Sequence, residues 1–396
     1  VKKIYTWDDK NKFKDKKKFY FFKKKLNEVN YIVISPGINI KKTRFKSILF
    51  KNKKKIITDL DLFYMQRIPV KSIVVTGTNG KSTTCKLIQH VLRTNKLDAQ
   101  LGGNIGKPIL DLKINKKSIV IIEASSFQLS CSKFIKPKFA VLLNITKDHL
   151  DWHGTIENYK NSKFNVFAKQ DNQDYALLSN QELIKQFRKK LFLSKLKKVQ
   201  LHNEEKNFKK YITNKYLISE PNLKNVSFVY KLSTILKIKK KIILKALNTF
   251  KGLSHRNEIF YKKHGITFIN DSKATSFDAT KYTLKNNKNI FWIVGGYPKL
   301  GDRFNLNKVS KNIIKSYIIG KNTNYFKKQI GKSTKYKLSF NLKKAMQDIF
   351  KDLLLLNKAQ ATVLLSPASS SYDQFNNFTE RGDQFKRLTM KYAKKL

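Results

Sequence analysis

Seven consecutive residues, Gly77-Thr78-Asn79-Gly80-Lys81-Ser82-Thr83, have the composition of a phosphate cradle. Glycines let backbone N–H groups close on phosphate oxygens, and a helix N-terminus adds partial positive charge. Lys81 can then reach the terminal phosphates, and Ser82 can ligate Mg²⁺. The apolar run SIVVT leads into the loop and an amphipathic stretch, CKLIQHVLRTN, leaves it. Two residues stand between Gly77 and Gly80, where the common phosphate loop has four. Strand, loop, Lys-Ser pair and helix still coincide, which favours nucleoside triphosphate binding over a plain glycine turn. Glu123 follows the run SIVII, and Asp148-His149 follow FAVLLNIT. A carboxylate or an imidazole at a strand end is ordinary surface chemistry by itself. Beside a phosphate loop these residues become candidate Mg²⁺ ligands, because phosphoryl transfer depends on the placement of metal and cations.

The elements that must hold these residues are visible as short β-branched runs, each closed by a glycine or polar cluster: YIVISPG, SIVVTGTNG, SIVIIEASS, FAVLLNITKDH, NIFWIVGG, SYIIG and TVLLSPASSS. Continuous apolar runs followed by helical stretches predict buried parallel strands with crossover helices, an α/β architecture. In such sheets ligands sit beyond the carboxyl ends of the strands, where the unusual polar residues of this chain fall. Motif order suggests three blocks, 1–68, 69–253 and 254–396. The Lys-rich stretch 180–214 predicts peripheral helices or a variable excursion.

At 396 residues and 41% apolar content the chain suits two or three folded domains. No apolar run approaches the roughly 20 residues that span a bilayer, and the opening VKKIYTWDDK lacks the apolar stretch of a signal peptide. Cys85 and Cys131 have neither paired nor metal-ligand spacing, which fits a reducing compartment; the expected location is the cytoplasm. The formal charge of +56 is carried by lysines spread through every segment with abundant Asn, Ile and Phe. Nucleic-acid readers concentrate basic residues on one face or tail, so compositional drift accounts better for the excess, and neither a nucleic-acid nor a membrane partner is expected. Spread charge can assist the approach of polyanionic substrates.

GTNGKST, GGNIGKP (102–108), EASSFQL (123–129), NITKDHLDWHG (144–154), GLSHRNE (252–258), INDSKATS (269–276) and SPASSSYDQFNNFTERG (366–382) together resemble the Mur ligase family, in its motif order and over nearly the whole chain. INDSKAT and the SPASSSYDQF block point to its D-glutamate-adding branch. The resemblance implies three α/β domains: an N-terminal Rossmann-like domain, a central P-loop ATPase-like domain and a C-terminal Rossmann-like domain. It further implies a monomeric, ATP-dependent amide ligase of cell-wall precursor synthesis that joins D-glutamate to UDP-N-acetylmuramoyl-L-alanine. Two Mg²⁺ ions are implied, one near Ser82 and Glu123, the other near Glu123, His149 and a lysine carbamylated by CO₂. The matching lysine is Lys163, which by residue type alone reads as a solvated helix face.

The same resemblance sets Arg256 against ATP phosphates, as suits a planar, always-charged guanidinium. It gives Asp271 the ATP ribose and Lys273 a phosphate-facing role. Asn222 and Asn225 correspond to a segment bordering the adenine, with Pro221 where the family has histidine. For D-glutamate the matching positions are Thr275, Lys299, Ser371 and the backbone of Phe378. For the UDP-sugar they are Ser35, Pro36, Gly37, Asn104 and His149. The opening segment VKKIYTWDDK corresponds to a strand of the N-terminal domain, whose first strand and glycine loop are absent; about one βα unit is expected to be missing. Ser276, Lys147 and Tyr297-Pro298 depart from the pattern. The implied chemistry is attack of the substrate carboxylate on the γ-phosphate, giving an acyl phosphate that the amine of D-glutamate displaces. Rival readings are a sibling ligase for another amino acid, a folylpolyglutamate synthetase, and a basic nucleic-acid-binding ATPase.

Overall fold

A computed structural model describes residues 3–8, 16–214, 216–299, 301–355 and 360–395. The chain divides into two compact units, Val1–Lys251 and Gly252–Leu396.

In the first unit, β1 (Ile32–Val33) and β2 (Ile56–Ile57) pair in parallel as a small two-stranded sheet. Residues 3–8, expected as a strand, form none, and the remainder of that segment lies outside the described residues. Next come β3 (Lys71–Thr76), β4 (Ala99–Gly103), β5 (Ile119–Glu123), β6 (Phe139–Leu142), β7 (Tyr175–Leu178) and β8 (Lys195–Lys198). They make one parallel sheet in the order β4-β5-β3-β6-β7-β8. Alternation along the strands splits its core in two. Ile73, Val75, Ile121 and Val141 face one cluster, whereas Val74, Ile122, Ala140 and Leu142 face the other. Burial on both faces explains why these runs are continuously apolar. The stretch 180–214 contains helices Gln181–Lys189 and Leu201–Phe208, but also the strand β8, which the helical expectation omitted. With the sequence KLKK at the sheet edge, β8 has no apolar run to betray it, and lysines there discourage pairing with another chain.

The segment before β3 is fastened to this sheet. Asp61, fully buried, accepts the backbone N–H of Thr58 (2.9 Å), closing a capping box on helix Asp59–Met65, and those of Lys133 (2.8 Å) and Phe134 (2.7 Å). Asp59 accepts from the Gln128 side chain at 3.1 Å.

The second unit carries β9 (Glu258–Lys263), β10 (Ile266–Asn270), β11 (Ile290–Gly295), β12 (Ile313–Ile319), β13 (Tyr336–Phe340) and β14 (Ala361–Leu365). The sheet order is β13-β12-β11-β14-β10-β9, parallel except for the edge strand β9. Phe291, Ile293, Val363 and Leu365 pack on one face, and Trp292, Val294 and Leu364 on the other. Each such side chain contributes about 1.5–3 kcal/mol by burial. Because β14 inserts between β10 and β11, the loops that follow these three strands emerge side by side. No described helix of either unit is long and apolar enough to cross a membrane.

Candidate functional site

The chain passes from β5, on one side of β3, to β6 on the other, so a crevice opens at the carboxyl end of β3. The phosphate loop lies there. Gly77 (φ +151°) and Gly80 (φ +87°) take backbone conformations that L side chains rarely adopt, and Gly80 starts helix Lys81–Thr94. A β-carbon on Gly80 would stand 2.2 Å from Asn225 Oδ1. Asn225 and Asn222 are one turn apart on helix Glu220–Ile235, and the Asn225 amide donates to Asn222 Oδ1 at 3.4 Å. The fold thus brings Asn225 onto the loop, even with Pro221 ahead of it.

Asn144, at the end of β6, fastens the loop from the other side. Its Oδ1 accepts from Asn79 N (2.9 Å), its Nδ2 donates to Asn79 O (3.1 Å), and its carbonyl accepts from Thr78 N (3.0 Å). Thr78 Oγ1 lies 2.9 Å from the Tyr159 hydroxyl and accepts from Thr146 N at 3.0 Å. Lys81 Nζ curls back onto the carbonyls of Gly77 and Thr78, 2.8 Å from each. Ser82 and Thr83 are buried in the first helical turn. Asn144 and Tyr159 were not among the residues expected at the site. Tyr159 could have been suspected, because it precedes Lys163 by one helical turn and shares its face.

Lys163 is buried, 1% exposed, and donates to Gly77 O at 2.9 Å, with its Nζ 4.7 Å from the centre of the Tyr159 ring. Burial, and after it the Lys81 ammonium, push the Lys163 amine well below the usual lysine range; Asp148 and Glu123 pull the other way. The solvated helix face that residue type alone suggested is therefore not what the fold builds. Glu123 ends β5, 2% exposed. Its Oε1 accepts from the Asn104 side chain (2.9 Å), and its buried Oε2 has no hydrogen-bond partner. An orphaned carboxylate oxygen beside a phosphate loop fits a cation. Among the described residues no three His, Cys, Asp or Glu side chains gather as a metal cluster. A cation here would draw on Glu123, the Ser82 hydroxyl and His149, and Lys163 could add to them only in a modified, anionic form.

His149 has a left-handed backbone (φ +52°), with its Nε2 3.4 Å from Asp148 Oδ2 and its ring 4.8 Å from that of Phe127. Behind it His153 is buried, its Nε2 3.0 Å from Ser126 Oγ, and burial pushes it down to about 4, so it is neutral near pH 7. Ser35, Pro36 and Gly37 form the turn after β1, where Ile38 N donates to Ser35 O at 3.0 Å. Asn104, expected near the substrate, is exposed while holding Glu123.

In the second unit the expected residues again follow the strands. Asp271, after β10, is buried and accepts from Ser366 Oγ (2.7 Å), Thr283 Oγ1 (3.2 Å) and Asn257 N (3.0 Å). Burial pushes its carboxyl up to about 6 against those bonds. Arg256 lies between two residues with left-handed backbones, His255 (φ +61°) and Asn257 (φ +45°). Lys273 N donates to His255 O, and Lys273 Nζ lies 5.3 Å from the centre of the Phe378 ring. Thr275 and Lys299 are exposed, and Ser371 is buried at the start of the turn that Gln374 N and Phe375 N close on its carbonyl. The Phe378 carbonyl accepts from Ser272 Oγ at 2.8 Å.

Fold and loop together define an α/β nucleotide-binding protein. A sequence profile described as the Mur ligase middle domain matches residues 75–245. The UDP-N-acetylmuramoylalanine–D-glutamate ligase of Rickettsia felis is 35% identical over 384 residues, 92% of this chain and 85% of that protein. The ligase of the same name from Wolbachia sp. subsp. Brugia malayi is 32% identical, covering 98% of this chain and 91% of its own. Among solved structures, the MurF ligase of Thermotoga maritima in complex with ADP matches with a TM-score of 0.60 and 16% identity, over 92% of this chain and 98% of that one. The chain belongs to the Mur ligase family.

Proposed function

We propose that this protein is a cytoplasmic, ATP-dependent ligase that joins D-glutamate to UDP-N-acetylmuramoyl-L-alanine in peptidoglycan precursor synthesis. Support for the substrates comes from the names of relatives aligned along nearly the full chain. Support for the chemistry comes from one observation above others: the phosphate loop, the orphaned Glu123 oxygen and the buried Lys163 amine meet at the carboxyl ends of β3 and β5.

In this reading residues 1–68 hold the nucleotide sugar through Ser35, Pro36 and Gly37, residues 69–253 the triphosphate, and residues 254–396 the incoming amino acid. Backbone N–H groups of residues 77–83 and Lys81 cradle the β- and γ-phosphates. Asn222 and Asn225 border the base, and Arg256, Asp271 and Lys273 complete the nucleotide contacts. Ser82, Glu123, His149 and a carbamylated Lys163 would hold two Mg²⁺ ions, which supply Lewis acidity toward the phosphate oxygens. The depressed Lys163 amine is suited to carbamylation, since only a neutral amine attacks CO₂, and the product turns a cation into an anion. Lys81 and the loop stabilise charge as the substrate carboxylate displaces ADP from the γ-phosphorus, forming an acyl phosphate. The D-glutamate amine, oriented by Thr275, Lys299, Ser371 and the Phe378 backbone, then expels phosphate and leaves an amide. The protein acts as a monomer.

The deciding experiment is phosphate release by the purified chain with ATP, Mg²⁺ and UDP-N-acetylmuramoyl-L-alanine across a panel of amino acids. D-glutamate alone should stimulate it. Stimulation by another amino acid, or by a folate, would replace this reading, and stimulation by RNA or DNA would do so more radically. Native mass measurement should find one CO₂ on the chain, absent from Lys163→Ala.

A further inference from the structure

Arg381 is 1% exposed, yet every hydrogen bond it makes is to a neutral group. Nε donates to Ser272 Oγ (3.0 Å), and Nη2 donates to the carbonyls of Ser272 (2.9 Å) and Ser369 (3.0 Å). Nη1 lies 3.3 Å from where a β-carbon on Gly296 would stand. Ser272 Oγ in turn donates a hydrogen bond to the Phe378 carbonyl. No carboxylate among the described residues is within ion-pairing distance of the guanidinium. Burial pushes its pKa down only to about 10, with the more distant Asp373 carboxylate pulling the other way, so it remains charged at neutral pH.

One side chain thus ties together the loops after β10 and β14 and the first turn of helix Phe378–Tyr392, and lies beside Gly296 in the loop after β11. The same four segments carry Thr275, Lys299, Ser371 and Phe378. Carbonyls and a hydroxyl satisfy the geometry of a guanidinium without cancelling its charge, Asp373 offsets that charge only from beyond ion-pairing distance, and a buried charge with no direct counter-ion is costly. Neutral side chains could tie loops together without that cost. A cation at this junction does something they cannot, since it makes the space above the loops favour anions.

We infer that Arg381 is a positioning residue for an acidic amino-acid substrate: it fixes the substrate-bearing loops against one another, and its charge favours a dicarboxylate over a monocarboxylate. The inference rests on the proposed reading that these loops receive the incoming amino acid.

The test uses the full chain as wild type, Arg381→Met and Arg381→Lys, with phosphate release measured while amino acid and ATP are varied separately. Arg381→Met should raise the KM for D-glutamate about ten-fold or more, leave the KM for ATP within about two-fold, and lower the preference for D-glutamate over D-2-aminobutyrate about ten-fold. Arg381→Lys, which keeps the charge and loses the planar fork, should recover most of that preference while its KM for D-glutamate stays raised. If Arg381→Met does not fold, the recovered preference in Arg381→Lys carries the test, and a preference lost with the charge retained overturns the inference. Unchanged KM and preference, or equal increases in both KM values, also overturn it. Should the wild type use a different acidic amino acid, the reading as a D-glutamate ligase fails, and a raised KM for that acid in Arg381→Met still upholds the role of Arg381.

Discussion

Each of the two units places a buried cation at the carboxyl end of a parallel sheet, and the two cations have opposite fates. Lys163 lies beside Lys81, and burial with that neighbour drives its amine toward the neutral form. Arg381 is as deeply buried, but three hydrogen bonds and the intrinsic basicity of a guanidinium keep it charged. The difference teaches what each residue type is for. A lysine can give up its proton and become a nucleophile, whereas an arginine can only hold a charge in place. The acids divide in a related way. Glu123 keeps an oxygen without a partner, beside the loop, while Asp271 has both oxygens engaged by Ser366, Thr283 and Asn257.

Removing the cation of the phosphate loop should break the contrast most completely. Lys81→Ala is expected to lower turnover by about 10³-fold or more, measured as ADP release, because phosphate charge loses its nearest cation and the loop carbonyls lose a donor. Near-normal release would end the assignment of the loop. Lys163→Ala should cost on the order of 10²-fold, with partial recovery in added short carboxylates that enter the vacated space. Lys163→Arg, unable to form a carbamate, should stay inactive with or without them; a Lys163→Arg enzyme of normal activity would make Lys163 merely structural. Gly80→Ala tests the loop without touching charge. Its methyl group meets Asn225 Oδ1 in a left-handed backbone, so the KM for ATP should rise about ten-fold while the melting temperature falls only a few degrees.

The smallest effect belongs to Asp271 and appears in stability. Its folded carboxyl binds a proton more tightly than the unfolded one, at about 6 against 3.8. The stability contributed by this difference is therefore complete below pH 3.8 and is lost as pH rises through about 6, a change on the order of 3 kcal/mol. Asp271→Asn should flatten the fall in stability between about pH 4 and 7 in urea melts. A variant whose pH dependence matches that of the wild type would show that Asp271 is not the group responsible.

Legibility in the sequence followed the length of the apolar run, which is greatest for most strands inside the two large sheets. The runs recognised as strands became β1 of the small sheet, β3, β5 and β6 in the middle of one large sheet, and β11, β12 and β14 in the interior of the other; β7, interior but only four residues long, was not among them. Burial on both faces makes interior strands continuously apolar. The edge strands β4, β8, β9 and β13 passed unnoticed because one side meets solvent or lysine-rich sequence: β9 reads EIFYKK and β8 reads KLKK. At the site, GTNGKST could be interpreted from residue types alone. Lys163 could not, since one lysine among 83 basic residues carries no signal of burial.

The order of residues determined the phosphate loop, the α/β class and the motif succession, because each depends on chemistry within a few neighbours along the chain. Tertiary structure alone decided which amine is driven toward its neutral form, which carboxylate oxygen is left without a donor and which guanidinium joins three segments. Solvent exclusion and long-range packing set those outcomes, and the groups responsible lie tens of residues apart: Gly77 and Lys163 in one unit, Ser272 and Arg381 in the other.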